Sequence, residues 1–224
     1  MVTPEEINRI ISSLSWQEQQ QLQAELRKIH PIHPLENQWH ISAEFILEAI
    51  SRSQDITKRG VRGIVAELTF LNYIIIPMER LGWTNIPLIG DLPYDALIQH
   101  SSGRQIKIQA KNQRMKLGLP LYATEQSARK FAGFPGWWVA ECQKTRSGID
   151  AEGLSTRPYR FGEFDILAVC LHPSTNDWSR FMFTPSVRLF PRPAAQNLIE
   201  IFQPVPPLKT GYWTDNLEEC IGWL

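Results

Sequence analysis

The sequence is poor in cysteine, and its cysteines form no recognisable metal or disulfide pattern. Cys142, Cys170 and Cys220 are isolated from one another, and no CxxC pair occurs among them. An odd number of scattered cysteines argues against a zinc knuckle and against a disulfide framework. It favours a reducing compartment, and we therefore expect a cytoplasmic protein.

Several other signals are also missing. We find no apolar run long enough to cross a bilayer and no N-terminal signal pattern, so no membrane partner is expected. A Walker A loop, an HExxH motif and a GxSxG elbow are all absent. ATP-driven enzymes, zinc proteases and serine hydrolases of the usual kinds are therefore poorly supported.

Acidic residues are absent from residues 96–124, although the whole chain of 224 residues has a net charge of zero. Residues 96–161 contain eleven basic and four acidic residues, a net charge of +7. A basic segment suits a polyanionic partner such as DNA, because phosphate neutralisation releases counterions. Ordinary solvated lysines and arginines explain the same pattern equally well.

The first fifty residues have a helical pattern. Residues 3–29 predict two short helices separated near Leu14, with Thr3 as a cap and Pro4 in the first turn. A linker is expected at 30–34, followed by a helix over 41–53 capped by Ser42. We expect residues 1–54 to form a helical segment that packs on or beside a second domain, residues 55–224.

The second region begins with a helix and continues with strands. The helix is expected over 57–73 and ends before Pro77, with Val61, Ile64, Leu68 and Leu71 as its apolar stripe. Other segments are assigned from their periodicity and turn residues. The predicted strands are 94–99, 105–111, 137–142, 164–171 and 180–184, and the predicted helices are 124–132 and 194–202.

The most informative pattern lies in the first two of these strands. Asp95 enters one strand, and Gln109 and Lys111 lie on the polar face of the next, because side chains two residues apart share a face. Residues 100–103 join the two strands, with Gly103 available for a positive φ. A carboxylate beside a lysine suits metal-assisted phosphodiester cleavage, in which the cation neutralises phosphate and activates water.

This pattern resembles the core of the PD-(D/E)xK nuclease superfamily, which includes many type II restriction endonucleases. The first half of the motif is Pro93-Tyr94-Asp95, with one residue inserted, and the second half is Gln109-Ala110-Lys111. The resemblance covers roughly residues 57–171 and implies an α/β fold. We expect a restriction endonuclease-like core, with a mixed central sheet flanked by helices and preceded by the N-terminal helical segment.

The resemblance also implies roles for individual residues. Asp95 is then the main ligand of Mg²⁺ (Mn²⁺ can substitute), with Gln109 and the carbonyl of Ala110 as further ligands. Lys111 then contacts the attacking water or the scissile phosphate, and Glu67 is an outer carboxylate on the preceding helix. Gln109 departs from the acidic residue that is usual at its position, and an uncharged amide is expected to bind Mg²⁺ more weakly.

Other residues have competing explanations. Residue types that read bases or contact phosphates are Asn112, Gln113, Arg114, Lys116, Arg157, Tyr159 and Arg160. Asp91 is an alternative to Asp95, although its surroundings favour a loop. Glu141 and Lys144 form a second acidic-plus-lysine pair, three residues apart and expected on opposite faces. The position of Asp165 inside an apolar strand favours a structural role over a catalytic one.

Taken together, these features predict a Mg²⁺-dependent, site-specific endodeoxyribonuclease that hydrolyses duplex DNA and forms a homodimer. Two-fold protein symmetry matches a palindromic target. A cognate DNA methyltransferase is a possible genetic partner. A repair or recombination nuclease of the same fold, and a catalytically inactive DNA-binding relative, remain as alternatives, and so does an ordinary α/β protein with an accidental motif.

Overall fold

The structure is a computed structural model, and it describes residues 3–30, 33–144, 148 and 156–224. Its internal contacts divide the chain into two compact units, Met1–Arg59 and Gly60–Leu224. This division lies a few residues after the boundary at 54/55 that the sequence predicts, inside a continuous helix.

The first unit is helical. The predicted break near Leu14 is confirmed, because one helix ends at Ser13 and the next begins at Trp16. Each of these two helices begins with a capping box, in which a hydroxyl and a glutamate satisfy backbone amides reciprocally. Residues 31–32 of the predicted linker lie outside the described residues, and Pro34 begins a helix instead of ending the linker. The helices are α1 (Pro4–Ser13), α2 (Trp16–Ile29), α3 (Pro34–Trp39) and α4 (Ala43–Arg52).

The next helix, α5 (Asp55–Phe70), continues as a π-helical segment (Leu71–Ile75) and a 3₁₀ segment (Ile76–Leu81). The predicted apolar stripe is confirmed for Leu71, which packs against the core, but it is wrong for Ile64 and Leu68, which are 58% and 55% exposed. Ala66 and Phe70 are buried instead. Pro77 does not end the helical run, because it lies in the first turn of the 3₁₀ segment, where its missing N–H costs nothing.

The helical run from Asp55 to Leu81 is also long and apolar enough to cross a membrane by length and composition, with a mean hydropathy of 1.4 over its most apolar window. No apolar run of this length is expected from the sequence, so that expectation is corrected. Part of this helix belongs to the hydrophobic core, in which Ala66, Phe70 and Ile75 pack with residues of the sheet. Core helices of water-soluble domains pass the same test of length and hydropathy.

A five-stranded mixed sheet forms the centre of the second unit, in the order β1-β2-β3-β7-β8. All pairs of neighbours in it are antiparallel except β3 and β7, which run parallel. The strands are β1 (Trp83–Ile86), β2 (Ala96–His100), β3 (Gln105–Asn112), β4 (Met115–Lys116), β5 (Leu119–Pro120), β6 (Trp138–Glu141), β7 (Ile166–Cys170), β8 (Phe181–Pro185), β9 (Pro191–Arg192), β10 (Ala195–Ile199) and β11 (Phe202–Val205). The remaining helices are α6 (Ala123–Gln126), α7 (His172–Thr175) and α8 (Leu217–Gly222). The expected mixed α/β architecture is thus confirmed.

The two faces of the sheet have different coverings. Ile108 and Ile166 belong to one core cluster together with residues of α5 and α8. Leu167 and Val169 belong to a second cluster with residues of the β6–β11 ribbon. Every residue of β7 is buried, as its continuous apolar sequence predicts for a strand covered on both faces.

Two helix predictions in this unit need correction. The helix expected over 124–132 is only the single turn α6. The helix expected over 194–202 is instead the strand β10, which pairs with β9, and the start of β11, which pairs with β6. Pairing with a partner distant in the sequence has overridden the local preference there.

The orientation of α5 can be tested by substitution. Phe70→Ala should lower the free energy of unfolding by about 3–5 kcal/mol, because it leaves a cavity in the core. Leu68→Ala, on the exposed side of the same helix, should change it by less than about 0.5 kcal/mol. Urea denaturation followed by tryptophan fluorescence measures both values. Equal losses in the two variants would contradict the observed helix face.

Candidate active site

The β2–β3 hairpin places Asp95 directly across from Gln109. The ladder pairs Ala96 with Ile108, so the residues one step outward face each other. The backbone N–H of Asp95 donates to the carbonyl of Ile108 at 2.9 Å, so Asp95 remains hydrogen-bonded to β3 just before β2 begins. Gly103 has φ 91° in the connecting turn, as the sequence predicts for this glycine.

The carboxylate of Asp95 is held by the opposite strand. Its Oδ2 accepts a hydrogen bond from the N–H of Ala110 at 2.9 Å and another, short one from Nε2 of Gln109. The same Nε2 donates to the carbonyl oxygen of Ala110 at 3.0 Å. The amide nitrogen of Gln109 therefore lies between the two oxygen atoms that the resemblance assigns to a metal ion.

Burial is the main perturbation of this carboxylate. Loss of solvent raises the pKa of Asp95, while the positive charge of Lys111 and the amide of Ala110 act in the opposite direction. A carboxyl group with a raised pKa and a specific charged neighbour is a frequent feature of functional sites.

Glu67 joins the site from α5. Loss of solvent and then the negative charge of Asp95 raise the pKa of Glu67, and the charge of Lys111 opposes them. These mutual effects show that both carboxylates and the Lys111 ammonium lie within electrostatic range of one another. Of the four residues proposed from the sequence, Asp95 and Gln109 are in direct contact, and Glu67 and Lys111 interact with Asp95 electrostatically.

The donor atoms of this site suit a hard cation. The carboxylates of Asp95 and Glu67 and the carbonyl of Ala110 supply the oxygen ligands that Mg²⁺ prefers. Gln109 presents its amide nitrogen, so its side chain has to turn over before its oxygen can act as a ligand. Across the described parts of the chain, no three His, Cys, Asp or Glu side chains are grouped closely enough to hold a metal. Any cation here depends on two carboxylates and neutral oxygens.

The expected DNA-contacting residues divide into two groups. Gln113 and Tyr159 are only 2% and 3% exposed, so their side chains are not available to a DNA groove, and the prediction is corrected for both. Tyr159 belongs to the second core cluster, and Gln113 forms an isolated bridge with Ala140 of β6. Lys116 and Arg157 are exposed, and Arg160 is half-buried.

Asn112 and Arg114 are engaged within the protein. The side-chain amide of Asn112 donates to the backbone carbonyl of Arg62 at 2.8 Å, which ties the end of β3 to α5. Arg114 forms an ion pair with Glu141, and its guanidinium lies 5.1 Å from the ring centroid of Phe202. Both side chains are half-buried, which limits but does not abolish their access to a ligand.

The alternative residues are placed as follows. Asp91 lies exposed in the loop before β2, as expected. Glu141 is bound by Arg114 and by the side chain of Gln143. Asp165 has the structural role favoured by the sequence: its carboxylate accepts the N–H of Lys107 at 2.8 Å and thereby joins β7 to β3.

Tyr159, Lys144 and Cys142 are neighbours of Lys111 or of its surroundings that the sequence did not assign to the active site. The ammonium groups of Lys111 and Lys144 lie 5.4 and 5.5 Å from the ring centroid of Tyr159. Cys142 also lies near Lys111, but burial raises the pKa of its thiol to about 12, so the thiol remains protonated at neutral pH. Tyr159 follows Lys111 by 48 positions, and no local pattern in the sequence indicates that their side chains meet.

Comparison with known proteins gives little further information. No family model matches this sequence, and no curated protein matches it either. Among solved structures, the chain is similar to a bacterial homing endonuclease, with 18% sequence identity, a TM-score of 0.34, and coverage of 56% of this chain and 68% of the other. Similarity at this level does not assign a family, so the function has to be argued from the site itself.

The charge of Glu67 can be tested through stability. Because the pKa of Glu67 is raised in the folded protein, its ionised form disfavours folding at neutral pH, and this penalty is lost as the pH falls through that pKa. Glu67→Gln should therefore raise the Tm at pH 7 and give no advantage below about pH 4. Thermal unfolding at stepped pH measures the difference. Glu79→Gln, twelve residues further along the same helical run, is the control, and a lower Tm for Glu67→Gln at pH 7 would contradict the electrostatic picture.

Proposed function

We propose that this protein is a Mg²⁺-dependent endodeoxyribonuclease of the type II restriction kind, which hydrolyses duplex DNA at a short specific site. The observation that carries the proposal is the Asp95 carboxylate at the end of the β2–β3 hairpin, hydrogen-bonded to Gln109 and Ala110. Lys111 and Glu67 act on this carboxylate electrostatically. Two partly desolvated carboxylates beside an ammonium group form an arrangement suited to hydrolysis of a phosphodiester.

Each residue has a role in this proposal. Asp95, the carbonyl of Ala110 and, after turning, the amide oxygen of Gln109 hold the cation, with Glu67 as an outer carboxylate. The bound Mg²⁺ supplies charge neutralisation of the phosphate and a more acidic water. Lys111 orients that water or contacts the scissile phosphate. Its ammonium group is the positive charge that acts on both Asp95 and Glu67.

The basic middle of the chain supports DNA as the substrate. Residues 96–161 have a net charge of +7, and Lys116 and Arg157 within this range are exposed. Such residues contact phosphates and make affinity strongly dependent on salt. A homodimer is part of the proposal, because a two-fold axis presents two active sites to the two strands of a palindrome. A DNA methyltransferase that protects the host genome is its expected genetic partner.

The first experiment is cleavage of plasmid DNA with Mg²⁺. Discrete, reproducible fragments are expected, and end-dependent or junction-dependent cutting would favour a repair nuclease instead. Asp95→Ala and Lys111→Ala should each reduce the rate at least about 100-fold while DNA binding in a gel-shift assay persists, because they remove a cation ligand and the lysine beside the water. Asp91→Ala and Lys209→Ala are the matched controls on the surface. Loss of activity in Asp91→Ala with retention in Asp95→Ala would overturn the assignment.

The observed position of the Gln109 amide supports a second candidate function, a catalytically inactive DNA-binding relative. Its nitrogen bridges Asp95 and the carbonyl of Ala110, and so satisfies the oxygens that a cation would bind. In this alternative the protein binds DNA but does not cut it with Mg²⁺ or Mn²⁺.

Gln109→Glu separates the two candidates. The substitution removes the bridging donor and adds a charged ligand, so Mg²⁺ should bind more tightly. For an active enzyme, we expect the Mg²⁺ concentration at half-maximal cleavage to fall. For an inactive relative, we expect cleavage to appear or Mg²⁺ to raise the Tm more than it does in the wild type. Titrations of Mg²⁺ against cleavage rate and Tm measure both, and Gln99→Glu on β2 is the control.

A further inference from the structure

A buried tyrosine connects the candidate active site to a second lysine. The ring of Tyr159 is 3% exposed, and the ammonium groups of Lys111 and Lys144 lie 5.4 and 5.5 Å from its centroid. A cation at this distance from an aromatic face is attracted by the ring quadrupole, and the attraction is larger where water is excluded.

The position of this ring is fixed by contacts that do not involve either lysine. Phe164 packs edge-on against Tyr159, with 5.3 Å between the ring centroids and an interplanar angle of 89°. The backbone carbonyl of Tyr159 accepts the N–H of Ile199 at 2.8 Å. The ring is therefore a rigid surface, and the flexible lysine side chains are the parts that it can order.

The two lysines have different acidic neighbours. Lys144 donates to Glu163 at 2.6 Å, and Glu163 also accepts the N–H of Arg160 at 2.8 Å. Lys111 acts electrostatically on Asp95 and Glu67. The charge of Lys144 is therefore balanced by Glu163. Lys111 is the ammonium group that acts on the two carboxylates of the site.

We propose that Tyr159 is a positioning residue of the nuclease site, whose ring holds the ammonium group of Lys111 toward Asp95 and Glu67. The same ring also contacts the ammonium group of Lys144, which Glu163 holds by a hydrogen bond. This inference rests on the proposed function and deepens it, because it assigns Tyr159 a role in the reaction other than the DNA contact expected from the sequence.

The cleavage test compares two substitutions of one residue. Tyr159→Phe keeps the ring and should retain kcat, whereas Tyr159→Leu removes it and should lower kcat about 3- to 30-fold at unchanged DNA affinity. Phe183→Leu removes an equally buried ring from the cluster on the opposite face of the sheet and controls for the loss of packing. An equal loss of kcat in Tyr159→Phe, or in Phe183→Leu, would overturn the proposal, and so would wild-type kcat in Tyr159→Leu.

A second measurement needs no cleavage and separates failure of this inference from failure of the proposed function. Lysines labelled by reductive methylation with ¹³C-formaldehyde give dimethylamino NMR signals, which move upfield over an aromatic ring. The signals of Lys111 and Lys144 are expected upfield and are assigned by their loss in Lys111→Arg and Lys144→Arg. They should be retained in Tyr159→Phe and move to the ordinary position in Tyr159→Leu. Lys107 and Lys130 lie 5.9 and 5.6 Å from other aromatic rings, so their signals are internal controls that Tyr159→Leu should not move. An ordinary position for Lys111 in the wild type would refute the ring contact whether or not the protein cuts DNA.

Discussion

The register of the β2–β3 hairpin is the constraint on which the candidate active site depends. It places Asp95 opposite Gln109, and the period of two along β3 then places Lys111 on the same face. A shift of one residue in this register would turn Gln109 and Lys111 to the other face, where Ile108 and Ala110 now pack against α5. The apolar residues of β3 therefore determine the position of its polar ones. The same residues that stabilise the core also assemble the site.

The electrostatics of the site follow from its location at the margin of the core. Burial raises the pKa of Asp95 and of Glu67, and each carboxylate is balanced in part by Lys111. In the absence of a cation, the amide of Gln109 supplies a proton donor to the Asp95 carboxylate. A neutral donor at this position reduces the cost of a partly buried carboxylate, and it also competes with any cation for the same oxygens. The amide of Gln109 thus stabilises the Asp95 carboxylate without adding a second negative charge beside it.

Local patterns in the sequence were sufficient for the hairpin, for the buried strand β7 and for the separation of α1 from α2. These elements depend on periodicity, caps and turn residues, which act over a few positions. Local patterns failed for the inward face of α5, where Ala66 and Phe70 are buried, because Ile64 and Leu68 have the same apolar character and only tertiary packing selects between them. They also failed at β10, whose partner is another strand. The contact between Tyr159 and Lys111 depends on tertiary packing, and no sequence spacing predicts it.

The central location of β3 has a consequence for the dynamics of the protein. This strand is hydrogen-bonded to β2 on one side and to β7 on the other, so its amides become accessible to deuterium only when the sheet itself opens. Glu67 lies instead on a helix with one side in water. We expect slow amide exchange in β3 and faster amide exchange in α5. The site then has one part on the sheet and one part on a less protected helix. The spacing of Asp95 and Gln109 therefore depends on the sheet, whereas the position of Glu67 depends on how α5 packs against it.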